Sequence, residues 1–239
     1  MRYIYGPVKS RRLGLSLGVS IIPRKTCNFD CVYCQLGATP EKTQEIKEYI
    51  KIEEAIAELK EFLSGHKEES SQLNYITLCG SGEPTLNIKI GELIQEIKKI
   101  TSLPLAVITN SSLLIEERVC WAIINVDLIV PSLDAVTQSI FEKINRPAED
   151  IKIEDIIEGL VKLRKEFKGK IWLEVMLVKG INDKPAHIEK LKEAIERISP
   201  DKIQLNSPVR TTAEPNILPV DKKKLEKIKE ILGDKCEII

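Results

Sequence analysis

What this chain of 239 residues lacks narrows its class before any motif is read. No stretch approaches the roughly 20 consecutive apolar residues that a membrane-spanning helix needs, and residues 1–30 carry no secretory apolar core. No membrane association is expected. Net charge is missing as well: 36 Lys and Arg face 36 Asp and Glu, so the whole chain projects no field for polyanions. Histidine is nearly absent; His66 sits in a polar connection and His187 near a helix start, and both read as surface side chains rather than ligands. No Ser/Gly-rich linker interrupts the sequence, which reads as a single domain, 1–239. A disulfide framework does not suit a chain this long; its clustered free thiols fit a reducing, cytoplasmic setting. What remains, 43% apolar and 30% charged residues, is ordinary globular usage.

What is present concentrates at CNFDCVYC. Cys27, Cys31 and Cys34 stand in a C-x3-C-x2-C spacing that puts three thiols on one short loop, the arrangement used by iron–sulfur and zinc sites. Flanked by Asp30 and Gln35, the loop offers little apolar burial, which argues against three unrelated core thiols. A cubane cluster held by three cysteines keeps one iron free for a small molecule, whereas structural zinc needs a fourth protein ligand. Cys79, Cys120, Cys236, His66 and His187 are the candidates for that ligand, and none forms a second close pair. The open-iron cluster is therefore favoured. Cys79 and Cys120, in apolar surroundings, read as inert core thiols, and Trp121 and Trp172 as packing residues.

Strand-like and helix-like runs alternate along the chain. Apolar runs at Leu17–Ile22, Tyr75–Cys79, Leu105–Thr109, Leu128–Val130, Ile171–Leu177 and Lys202–Asn206 predict strands. Helical spacing relates Ile90, Leu93, Ile97 and Ile100, then Ile188, Leu191, Ile195 and Ile198, and finally Leu225, Ile228 and Leu232. Ile46, Ile50, Ile56, Leu59 and Leu63 suggest a further helical face. Such βα units predict an α/β fold with a parallel sheet and helices outside. The cysteine loop, GSGEP, TNSS, PSLD and NSP all follow strands, at the carboxyl ends where parallel barrels build their sites.

CNFDCVYC, with aromatic Tyr33 before the third cysteine, resembles the signature loop of the radical S-adenosylmethionine (radical SAM) superfamily. CGSGEP at Cys79–Pro84, ITNSS at Ile108–Ser112, SLDA at Ser132–Ala135 and LNSP at Leu205–Pro208 resemble its later strand-end motifs, in the same order. The opening YGPVKSRRLGLSLGVSIIPRKTCNFDCVYCQLG resembles a subgroup related to the wyosine (tRNA-modifying) synthases. The resemblance implies a partial (β/α)6 parallel barrel, a 4Fe-4S cluster on Cys27, Cys31 and Cys34, and SAM on the open iron. One electron passing from the cluster into the SAM sulfonium would release a 5′-deoxyadenosyl radical that abstracts hydrogen from a substrate not identified. A donor such as flavodoxin or ferredoxin would supply that electron. Residues 1–26 would then be a basic segment with the first strand, 27–34 the cluster loop, and 209–239 a C-terminal extension and helix.

The same resemblance implies roles for single residues. Glu83 would pair with the SAM ammonium while Gly80 and Gly82 let the backbone approach; the plain alternative is a turn before Pro84. Asn110 and Ser112 would reach ribose or the SAM carboxylate, Asp134 ribose or substrate, and Asn206 adenine; for Asn110, Ser112 and Asp134 turn or cap duties compete. Tyr33 would lie against the cofactor. Glu174 alternates with Trp172 and Met176, so the three share one strand face. Arg2, Lys9, Arg11, Arg12, Arg24 and Lys25, with no acid before Asp30, form either a solvated surface or an anion-binding lip for substrate phosphate or RNA. Archaeal wyosine synthases carry a second cysteine triad ahead of the signature loop, and here no cysteine precedes Cys27. Wyosine-type tRNA modification, activation of a glycyl-radical protein partner, and a non-catalytic zinc or iron–sulfur module stand as alternatives.

Overall fold

The alternation of strands and helices opens with a hairpin. In the computed structural model, which describes residues 1–239, β1 (Ile4–Ser10) and β2 (Gly14–Val19) pair antiparallel. Then come β3 (Tyr75–Leu78), β4 (Leu105–Thr109), β5 (Leu128–Pro131), β6 (Lys170–Met176), β7 (Lys202–Asn206) and β8 (Cys236–Ile238). The sheet order is β1 through β8 in sequence, and every pair after the hairpin is parallel. A parallel pair needs a crossover, and helices supply it. These are α1 (Ile52–Gly65) and the short α2 (Lys67–Ser71), α3 (Ile90–Ile100), α4 (Glu117–Ile123), α5 (Gln138–Ile144), α6 (Ile153–Glu166), α7 (Pro185–Ile198) and α8 (Lys222–Leu232).

The expected α/β fold is present, with the edges extended. Six strands were read from apolar runs; the structure adds β1 and β8 on the two edges. β1 contains Gly6 and Pro7 and shows no clean alternation, and β8 has three residues, too few for a periodic signal. The first parallel strand ends at Val19 rather than Ile22, and Ile46 and Ile50 precede α1, in a segment bridged at Lys47 to Asn87.

The period of two along each strand divides the sheet into unlike faces. Outward residues such as Leu17, Val19, Ile76, Leu78, Leu105 and Val107 join the helices in one apolar cluster of 59 residues. On α3, Ile90, Leu93, Ile94 and Ile97 are all buried, each contributing about 1.5–3 kcal/mol against water. The inner face carries a small apolar floor of Leu13, Ala106, Leu128 and Val130. Polar side chains stand beside it: Ser16 and Thr77 share a 2.5 Å hydrogen bond, and Glu174 and Asn206 are buried. The hairpin tip reaches toward the far edge of the sheet, where Arg11 donates to the Ile239 carbonyl (3.1 Å) and Gln204 donates to the Arg12 carbonyl (3.3 Å).

Candidate functional site

The inner face of the sheet lines a cavity of about 470 Å3, within the range of small-ligand sites. Its wall includes Cys27, Cys34, Gly80, Gly82, Glu83, Asn110 and Asp134, together with Tyr33. Residues from loops after four strands thus meet at one end, as expected for the carboxyl ends of parallel strands.

The cysteine loop is pinned by the residues between its thiols. Asn28, Phe29 and Val32 are buried, while Cys27, Cys31, Tyr33 and Cys34 remain partly exposed. Phe29 packs edge-on against Phe141 of α5 with ring centroids 5.3 Å apart. The expectation of a loop with little apolar burial therefore fails: Phe29 and Val32 anchor it, and Cys27 and Cys31 pack against the core cluster. Backbone bonds from Asp30 to Asn145 (3.0 Å) and from Val32 to Ile144 (2.9 Å) tie it to the end of α5.

Gly82 shows why GSGEP lies where it does. A Cβ there would stand 1.9 Å from the Thr26 carbonyl oxygen, and Glu83 N–H donates to that same oxygen at 3.0 Å. The backbone approach made possible by Gly82 is thus to the chain entering the cysteine loop. Gly80 adopts φ +119°, a conformation that disfavours side chains. Glu83, 2% exposed, receives four hydrogen bonds: from Thr85 N–H (3.1 Å), the Thr85 hydroxyl (2.6 Å), the Thr109 hydroxyl (2.7 Å) and Asn110 N–H (2.7 Å). Burial pushes its carboxyl pKa up, opposed by these donors. Three of the four bonds fall on Oε1, so Oε2 retains room for another donor.

Asn110 links the two loops. Its Nδ2 donates to Asn28 (2.7 Å) and lies 3.7 Å from Cys27 Sγ, while its Oδ1 accepts from Ser112 N–H (3.0 Å) and hydroxyl (2.6 Å). Ser112 is buried behind this network, off the cavity wall. Asp134 accepts from Tyr33 OH, from Asn145 Nδ2 (2.8 Å) and from Met176 N–H (2.8 Å). Burial raises its pKa to about 6. Asn206 is buried on the same sheet face beside Met176 but does not itself line the cavity; its amide donates to Glu174 (3.1 Å), which does. Glu174 and Met176 do face the cavity, and Trp172 packs with the inner floor, so the shared face is the interior.

Asn28 and Asn145 went unnoticed in the sequence. Asn28 fills an intervening position of CNFDCVYC and Asn145 lies in no motif, and their bonds span 84 and 114 residues. Other expectations change too. His187 is buried at 4% exposure with neither ring nitrogen partnered, whereas Trp121 is 55% exposed. Cys79 lies on the cavity wall, its sulfur 2.7 Å from Tyr5 OH, while Cys120 is a buried thiol as read.

Residues 21–191, well over half of the chain, match the family described as the Radical SAM superfamily. The chain belongs to the radical SAM superfamily. It is 38% identical to a UPF0026 protein of Methanocaldococcus jannaschii over all of this chain and 73% of that protein. It is 39% identical to a protein named GTPase Obg of Brachyspira hyodysenteriae, over 98% of this chain and 34% of that one. The chain thus spans about a third of that relative. Among solved structures, a radical SAM methyltransferase from Sphaerobacter thermophilus superposes with a TM-score of 0.71 at 18% identity, covering 94% of this chain and 66% of that one. Archaeal TYW1 gives 0.61 at 18%, covering 92% and 72%. These share the partial-barrel fold. No helix is long and apolar enough to cross a membrane.

Radical SAM membership implies a 4Fe-4S cluster and SAM, and the residues present fit both. Burial and the neighbouring Glu83 charge push the Cys27 thiol up to about 12, and burial, with Cys27 and Asp134 nearby, raises Cys31 well above its ordinary value. Such thiols give up their protons when a metal cation replaces them. N–H groups aim at the sulfurs: Lys25 Nζ at Cys34 (3.3 Å) and Asn145 Nδ2 at Cys31 (3.5 Å). No three Cys, His, Asp or Glu converge tightly enough for a single ion. A four-iron cube is wider than one ion and spreads its thiolates further apart.

Proposed function

We propose that this radical SAM enzyme binds a 4Fe-4S cluster through Cys27, Cys31 and Cys34, leaving one iron open, and holds SAM on the strand ends beside it. What carries the reading is one cavity in which the cysteine loop, GSGEP and TNSS are joined through Glu83 and Asn110. Held by these cysteines, the cluster would supply one-electron reduction of the SAM sulfonium, the chemistry that generates a radical for hydrogen abstraction. The protein holds the parts still and keeps water out.

Glu83 fixes the turn between Thr85 and Asn110 and offers Oε2 to the SAM ammonium. The backbone at Gly80–Gly82 forms the adjoining wall. Asn110 orients the cysteine loop through Asn28, and Ser112 holds Asn110 from behind. Asp134 sets the phenol of Tyr33 at the cavity edge. Asn206 acts at a remove, through Glu174. Phe29, Phe141, Ile108 and Met176 give the cavity an apolar portion that excludes water around a reactive radical. The substrate donates a hydrogen atom, and a low-potential carrier such as flavodoxin or ferredoxin delivers the electron.

The test is anaerobic reconstitution with iron and sulfide, reduction, addition of SAM and measurement of 5′-deoxyadenosine. Formation that requires all three cysteines supports the reading. A fully loaded cluster that neither binds nor cleaves SAM overturns it.

A further inference from the structure

Cations gather on the part of the cavity wall built by the hairpin tip and the segment after β7. Lys9, Arg11 and Arg12 come from the hairpin and Arg210 from the far end of the chain, and all four line the cavity that also exposes Cys27 and Cys34. Only Arg12 has a carboxylate partner, Glu174 at 2.7 Å. Arg11 donates to the main-chain oxygen of Ile239 (3.1 Å) and Arg210 to Gln35 Oε1 (3.2 Å), and neither forms a close ion pair with an Asp or Glu side chain. Lys9, Arg11 and Arg210 are exposed.

We propose that this lip is the docking site for a phosphate group of the substrate, held by Arg11 and Arg210 with Lys9. The assignment rests on the radical SAM reading only for what happens deeper in the cavity. Two guanidinium forks from opposite edges of an open sheet, with an ammonium beside them, suit a multiply charged tetrahedral anion better than a single carboxylate. Burial first, then the nearby Arg210 and Arg12 charges, lower the Arg11 pKa against an opposing contribution from Glu174, and a bound anion would offset that crowding of like charges. Gln35 follows Cys34 directly, so the Arg210 head lies beside the cysteine loop. A phosphate at the lip would leave the rest of the substrate extended inward toward that loop. Val8 on the lip and Val209 beside Arg210 are exposed apolar side chains, suited to contact the non-phosphate portion.

Of the six N-terminal cations considered as a lip, the structure selects three for the cavity wall. Arg2 pairs instead with Glu54, Lys25 turns to Cys34, and Arg24 is not on the wall.

The test uses reconstituted protein and three probes: a fluorescein-labelled RNA decamer, inorganic pyrophosphate as competitor, and a decaglutamate peptide. The RNA decamer should bind with affinity falling steeply in salt, and pyrophosphate should displace it. Arg11→Ala/Arg210→Ala should weaken binding about tenfold or more and flatten the salt slope, with iron content as the folding control. Arg11→Lys/Arg210→Lys should recover part of the loss. RNA binding far tighter than pyrophosphate identifies a polynucleotide source for the phosphate; comparable binding identifies a small phosphorylated metabolite. Decaglutamate binding as well as RNA, or a double alanine variant binding like wild type, overturns the assignment. Missing iron and sulfide in wild type would count against the radical reading alone, because the phosphate measurement is separate.

Discussion

Glu83 and Glu174 are both buried carboxylates facing one cavity, yet they are held in opposite ways. Glu83 is surrounded by neutral donors from two adjacent strand-end loops, bonds that reach at most 27 residues along the chain. Glu174 is held by the charged Arg12, 162 residues away, and by the amide of Asn206. The first arrangement lets a carboxylate knit a rigid rim, with hydroxyl and amide donors already placed. The second uses an ion pair to hold the hairpin tip across the mouth of an open sheet. The rim should therefore be insensitive to salt, and the hairpin closure should weaken as salt rises.

The largest effect that sharpens this contrast falls on the rim. Cys27→Ala, Cys31→Ala and Cys34→Ala should each abolish cluster loading, read as iron and sulfide per chain after anaerobic reconstitution. Normal iron in all three would remove the loop from the site. Next, Glu83→Ala leaves two backbone N–H groups and two hydroxyls without their buried acceptor; at about 1–3 kcal/mol for each donor that finds no new partner, about 3–5 kcal/mol should be lost in urea unfolding of the reconstituted protein. That loss should be the same at low and high salt.

Asp134 gives an intermediate effect through pH. Its folded pKa, raised by burial to about 6, exceeds the usual carboxylate value near 4 of an unfolded chain. Between about pH 4 and 6 the folded state binds more protons than the unfolded state, so this group's contribution falls as pH rises through that window. The change is of order 3 kcal/mol and should be absent from Asp134→Asn, checked by urea midpoints across the window. The smallest effect belongs to the hairpin. Glu174→Gln frees an Arg12 side chain that is 28% exposed and can turn to water, so a loss of about 1 kcal/mol is expected, shrinking in salt. A salt-independent loss as large as that of Glu83→Ala would erase the distinction between the regions.

Much of the fold could be read before the structure was known. β4 and β5 are continuous apolar runs because helices cover their outer face and the cavity floor their inner one. The long helices α3 and α7 appear in the spacing of their isoleucines and leucines. β1 and β8 were hidden because edge strands need no buried alternation. In the site, the cysteine triad, Gly82, Glu83 and Asn110 could be found because each lies in a short contiguous motif. Asn28 lies within CNFDCVYC but has no local partner there to mark it, and Asn145 and Arg210 lie in no motif; the partners of all three come from distant segments.

By itself, then, the sequence determined which loops follow which strands, because periodicity and turn chemistry are properties of neighbouring residues. It also determined that three thiols share one loop. Only the tertiary structure decided which polar groups close on one another: that Glu83 receives four donors, that Asn206 bonds to Glu174, and that Arg11 and Arg210 line one cavity. Those choices depend on how an open parallel sheet curves and where its edges stop. That geometry is set by the packing of the whole core rather than by any local run of residues.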